Sequence, residues 1–207
     1  MNRRETVTPR LVLFSPPVDP ARATVLIADA CRAADVASIV LRTAGLTEER
    51  ILAYAKAILP VAIEEGAALL LEDRADLVEE TKADGAHFTN FMAQAPRQKP
   101  RFIAGAAGLV SRHDAMTAGE AGADYVMFGE PIGGKRPALD AIVERVAWWA
   151  EIFQIPCVAY AASLGEAPAL VRAGADFIAL DDAIWGVEAH IDALGAAMAH
   201  LQTGHAE

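Results

Sequence analysis

At 207 residues and 54% apolar content, the chain is long enough for one domain with a sizeable core and too apolar for a disordered polymer. Its 18 lysines and arginines face 28 aspartates and glutamates, a formal net charge of −10. That balance excludes a basic nucleic-acid face, although a few cations or backbone amides still suffice for a small phosphate.

The first ten residues carry positive charge, but Leu11–Phe14 is too short for a signal-peptide core and Ser15-Pro16-Pro17 stops it. No run reaches the roughly 20 apolar residues of a membrane span. Cys31 and Cys157 have neither framework nor metal-ligand spacing, and are expected as buried thiols in a reducing compartment. The expectation is a cytoplasmic protein with a small-molecule substrate and neither membrane nor nucleic-acid partners.

In chain order, Leu11–Phe14 reads as the first strand and Pro20–Ala34 as an alanine-rich helix. Ser38–Arg42 is the second strand. Thr47 caps the next helix, with Glu48 and Glu49 in the first turn, where the dipole favours negative charge. Ala67–Asp73, Ala86–Phe88 and Arg101–Ala104 read as the third, fourth and fifth strands. Asp124–Phe128, Cys157–Tyr160 and Phe177–Leu180 complete eight, and Val187–Leu201 has the spacing of a last outer helix.

Short apolar runs separated by helices indicate a parallel sheet. The run Glu120–Phe128 recurs as Arg172–Leu180, with weaker copies at Lys82–Phe88 and Glu65–Ala67. Each copy puts a glycine between helix and strand, where a left-handed cap is favoured. Eight such units predict a single-domain (β/α)8 TIM barrel over residues 1–207, with 1–9 an N-terminal extension and 203–207 a mobile tail. An open doubly wound sheet is the alternative, but no G-x-G-x-x-G follows the first strand. Alanine-rich outer helices would allow the close packing of a homodimer.

Active sites in such barrels lie at the C-terminal strand ends. Candidates there are Ser15, Arg42, Glu72, Asp73, His87, Glu130, Lys135, Tyr160, Ser163, Asp181 and Asp182. Neighbouring strand residues face opposite ways, so only one of Glu72 and Asp73 need face the mouth. Asp73 could hold Mg²⁺, while Glu72 is expected to pair with Arg74 or Arg42. Arg42 could bind a phosphate bidentately or pair with Asp73. Lys135, in Gly133-Gly134-Lys135-Arg136-Pro137, is either delivered to an anion by a glycine loop or left in solvent. His87 reads as a hydrogen-bonding core residue or a catalytic group. Trp148, Trp149 and Trp185 read as packing.

Several of these runs resemble the thiamine phosphate synthase and thiazole tautomerase family. They are Ile39–Arg42, Leu70–Leu77, Ala83–Phe88, Ala121–Gly129 and Arg172–Asp176. The resemblance implies a barrel that joins a pyrimidine methyl diphosphate to a thiazole phosphate in thiamine biosynthesis. The C–O bond ionises, pyrophosphate leaves with Mg²⁺, and the thiazole nitrogen captures the pyrimidine cation. It implies catalytic roles for Arg42 and Lys135 and metal binding by Asp73, which match family positions; the strand ends themselves add His87 as a catalytic candidate and Glu72, Glu130, Ser163, Asp181 and Asp182 as substrate-contact candidates.

Several family positions are replaced. The second-strand glutamine and lysine become Val40 and Ala44, and the third-strand asparagine becomes Glu72. The second metal carboxylate becomes Met92, and a double glycine becomes Ala161-Ala162. A serine near the eighth strand becomes Asp182, beside Asp181. These changes leave open a diverged enzyme with another substrate at an acidic mouth, and a non-catalytic binding protein.

Overall fold

In the computed structural model, the described residues are 9–94, 101–185 and six positions between 191 and 198. The expected extension and tail therefore lie outside them, Pro9 apart, as does most of the expected helix Val187–Leu201.

Eight parallel strands close in sequence order into a barrel, β1 against β8. They are β1 Arg10–Phe14, β2 Val36–Leu41, β3 Ala68–Glu72, β4 Gly85–Phe88, β5 Ile103–Ala106, β6 Tyr125–Phe128, β7 Cys157–Tyr160 and β8 Phe177–Leu180. Between and after them run α1 Pro20–Ala33, α2 Glu48–Glu65, α3 Val78–Thr81, α4 Phe91–Gln94, α5 Arg112–Glu120, α6 Leu139–Ile152, α7 Ala167–Arg172 and α8 Asp182–Trp185. The predicted barrel is the observed one. Its fifth strand starts two residues later than expected, at Ile103.

The period-2 alternation sorts the core into two layers. Leu11, Leu13, Ile39, Leu41, Leu69, Leu71, Val126 and Phe128 face the helices. Val12, Phe14, Val40, Leu70, Tyr125, Met127, Val158, Tyr160 and Ala179 fill the barrel. Trp149 stacks on Phe153 at 4.1 Å between ring centroids and meets Phe128 edge-on, so the tryptophan pair packs outside the barrel as expected.

Local signals explain the helix ends. Thr47 caps α2 by accepting from the Arg50 amide, and Gly66 ends it at φ 67°. The weaker copy at Lys82–Phe88 departs from expectation: Lys82 itself takes the left-handed turn at φ 57°. Gly85 serves close approach instead, since a Cβ there would lie 2.1 Å from the Ile103 carbonyl oxygen.

The repeated aspartate has a structural task. Asp84, Asp124 and Asp176 each precede a strand and accept from the amide that opens or nearly opens the strand before it, Leu69, Ala104 and Cys157, at 2.8–2.9 Å. The backbone amide of each aspartate returns a bond to the carbonyl of the same residue. Three neighbouring strand pairs are thus clamped at the bottom of the barrel, opposite the mouth.

Candidate active site

Inward-facing positions at the upper strand ends follow from the same alternation. Glu72 is in phase with inward Leu70, and Asp181 with inward Ala179. Arg42 follows outward Leu41 and is in phase with inward Val40, two residues before it. His87 pairs in register with Glu72 on one side and Gly105 on the other. Asp73 lies one residue beyond β3 in a left-handed conformation, where its carboxylate bonds Thr89.

On the β4–β6 side sits a buried polar chain. The Tyr125 hydroxyl lies 2.7 Å from His87 Nδ1, and His87 Nε2 lies 3.3 Å from Glu130 Oε2. An ionised carboxylate only accepts, so Glu130 places a proton on Nε2; in the neutral imidazole Nδ1 then accepts from Tyr125. Burial, and then the charge of Glu130, push the Tyr125 hydroxyl far above its ordinary range, so it remains a donor. Gly105 makes this contact possible. A Cβ there would fall 2.0 Å from Tyr125 Cζ, so the ring crosses β5 only because that residue has no side chain. A cavity of about 120 Å³ opens beside Glu130, walled by Leu109, Met127, Gly129, Ile132 and Arg145.

The β8–β2–β3 side is charged. Both Arg42 donors, Nε and Nη2, meet the two oxygens of Asp181, and Nη1 lies 3.6 Å from Glu72 Oε1. The guanidinium also sits 4.6 Å over the Phe14 ring. Tyr160 donates its hydroxyl to Asp181 Oδ2 at 3.1 Å. The second oxygen of Glu72 accepts from the Thr43 and Ala44 amides. Partial burial disfavours the charge on Arg42, but Asp181, then Glu72 and Glu130, more than offset it and raise its pKa.

One expected pairing is corrected, and the one expected for Glu72 is resolved in favour of Arg42. Arg42 pairs with Asp181 and Glu72 rather than Asp73, because Asp73 leaves the strand in a left-handed turn that gives its carboxylate to Thr89. Arg74 pairs with Glu48 and Asp76 at 2.7–3.0 Å, so it is not a partner of Glu72. Asp73 adopts φ 52° and accepts the Thr89 amide at 2.8 Å and its hydroxyl at 2.5 Å. The buried-thiol expectation holds for Cys157; Cys31 is only half-buried, and burial beside Glu65 pushes its thiol up to about 11.

The remaining candidates scatter. Lys135 is exposed on a tight turn in which it pairs with Ile132 through the backbone. Its neighbour Arg136 turns inward, donating to the Tyr160 carbonyl at 3.1 Å and bidentately to Glu166. Ser163 is exposed at the start of the turn Leu164–Glu166. The side chain of Asp182 lies outside the described residues. Trp185 donates to the Phe14 carbonyl at 2.8 Å, a packing role with a polar tie.

Tyr125, Arg136 and Glu166 were missed in the sequence. Tyr125 could have been found from the small residue at Gly105, which leaves a gap for a large neighbour. No local signal distinguishes Arg136 from Lys135, because the partner Glu166 lies 30 residues away.

Among the described residues, no group of three histidine, cysteine or acidic side chains could hold a metal. None of the described helices is long and apolar enough to cross a membrane.

Comparison with known proteins adds a family. The TMP-TENI model, thiamine monophosphate synthase, matches residues 11–184. A thiamine-phosphate synthase from Rhodospirillum centenum is 39% identical over 186 residues, covering 85% of this chain and 89% of that one. Another from Hyphomonas neptunium is 34% identical over 192 residues, covering 86% and 87%. The fold is shared with a thiamine phosphate pyrophosphorylase from Pyrococcus furiosus, at TM-score 0.76 and 20% identity over 95% of this chain and 98% of that one. An orotidine 5'-phosphate decarboxylase from Pyrococcus horikoshii also shares it, at TM-score 0.65 and 17% identity over 93% and 99%.

Proposed function

The chain belongs to the thiamine monophosphate synthase family, and on that premise we propose that it joins a pyrimidine methyl diphosphate to a thiazole phosphate at this mouth. The position of Arg42 carries the reading. Its guanidinium stands inward at the rim, 36% exposed, where a diphosphate can reach it from solvent.

The chain's own groups suit a reaction in which a C–O bond ionises. Arg42 would take charge from the leaving pyrophosphate. The tilted rings of Phe14 and Tyr160, with centroids 6.2 Å apart, and the buried carboxylates Glu72, Glu130 and Asp181 would favour the cation left behind. His87, held by Tyr125 and Glu130, would fix the wall against which the pyrimidine rests. Capture by the thiazole nitrogen then forms the C–N bond, with no proton abstracted by the protein.

Asp73 fits a magnesium ion that takes its other ligands from water and diphosphate, because each oxygen receives one bond from Thr89 and keeps a free lone pair. A protein cage does not fit, since the second carboxylate position is Met92. The ion would supply charge neutralisation on the leaving group. Lys135 and Ser163 would act only as exposed rim contacts, and Asp182 as a neighbour of Asp181.

The reading includes one domain over residues 1–207, a cytoplasmic setting and a homodimer packed through its outer helices. Another substrate at the same mouth is a second reading, favoured by the carboxylates that already occupy Arg42.

The test is coupling of the two phosphorylated precursors with Mg²⁺. Product is expected, reduced at least about tenfold by Asp73→Ala at unchanged fold. A folded protein giving no product, beside an active relative, overturns the reading in favour of the second.

A further inference from the structure

We propose that Asp181 is a built-in anion that sets the phosphate affinity of the mouth. Resting on the reading that Arg42 receives a phosphate group, the inference names Asp181 as a specificity-determining residue that no family resemblance assigns.

A guanidinium presents its N–H donors along two edges, Nε–Nη2 and Nη1–Nη2, each suited to two oxygens of a carboxylate or phosphate. In Arg42 the Nε–Nη2 edge is filled by Asp181, and Nη1 faces Glu72. Asp181 is itself held in place, since Tyr160 donates to the oxygen that meets Nη2. It is 5% exposed, whereas Arg42 remains open to solvent. The fixed partner is therefore the carboxylate, and the movable one is the arginine.

An incoming phosphate meets two opposing effects. It must take the fork from Asp181, and it must lie near a carboxylate of like charge. A phosphate monoester offers little beyond what Asp181 already provides. A diphosphate brings more charge and more oxygens, and can draw Arg42 across. Asp181 thus tunes the mouth toward polyanionic groups that Arg42 can follow into solvent.

The experiment is calorimetric titration of the whole chain with inorganic pyrophosphate and with inorganic phosphate, without turnover. Wild type is expected to bind pyrophosphate weakly and phosphate more weakly still. Asp181→Asn is expected to bind pyrophosphate at least about tenfold tighter while melting at a lower temperature. A merely structural aspartate would lose stability and affinity together, so the opposite signs are diagnostic. Unchanged or weaker binding by a folded variant overturns the proposal, as does wild type binding phosphate as tightly as pyrophosphate.

If Asp181→Asn does not fold, wild-type crystals soaked with pyrophosphate decide. Arg42 turned from Asp181 onto the ligand supports the proposal; Arg42 still on Asp181, with pyrophosphate bound in the mouth, overturns it. Loss of coupling activity alone would strike the proposed reaction and leave this binding difference intact.

Discussion

On the β4–β6 side of the mouth, wholly buried His87 joins Glu130, itself nearly buried, to Tyr125, whose ring crosses the gap left by Gly105. On the β8–β2–β3 side, Arg42 keeps about a third of its side chain in water while it grips two carboxylates. Both sides arise from one alternation of strand residues. They differ in whether water can replace a lost partner. A group in the buried chain that loses its partner stays unsatisfied, whereas the rim arginine can exchange one anion for another.

Substitutions sharpen or break this contrast. His87→Leu should cost most, about 3 kcal/mol or more, because it orphans both the Tyr125 hydroxyl and the Glu130 carboxylate. Urea unfolding measures it, and a cost under about 1 kcal/mol would mean that water already reaches this side. Gly105→Ala should follow at about 2 kcal/mol, since the new methyl overlaps the Tyr125 ring. An unchanged melting temperature there would show that the ring can turn aside. Arg42→Lys should spare stability in comparison and raise KM for the diphosphate about tenfold, because lysine keeps the charge but not the fork. A fall in kcat alone would assign Arg42 a role after binding. Lys135→Ala should do least, within about 0.5 kcal/mol of wild-type stability and within about twofold in coupling rate. A larger loss of rate would return the glycine loop to the chemistry.

The barrel was legible because its evidence is periodic: eight apolar runs, helices between them and glycine at their junctions. The fifth strand was placed early because Gly105 and the alanines around it are poor strand formers, their smallness serving Tyr125 instead. Arg42, Glu72, His87 and Asp181 were found because strand ends and alternation are readable along the chain. Their partners were not. Choosing Asp181 over Asp73 for Arg42 requires knowing which carboxylate is in phase across 139 residues. The choice between Lys135 and Arg136 is made by the backbone of a glycine turn, which composition does not encode.

The aspartate clamps at the bottom of the barrel also bear on how the chain assembles. Each links residues 15–20 apart, so these strand pairs can close while the rest of the chain is still open. The β1–β8 seam is different. It joins Leu11 to Ile178, and the ties near it, Trp185 to Phe14 and Arg42 to Asp181, span 171 and 139 residues. Loop closure costs most for that seam, so topology alone predicts that it closes after the locally clamped pairs, an order that pulsed hydrogen exchange during refolding would check. The contact of Asp181 with Arg42 ties β8 to the end of β2 across that seam, so on the same expectation the charged side of the mouth is completed only when the barrel closes.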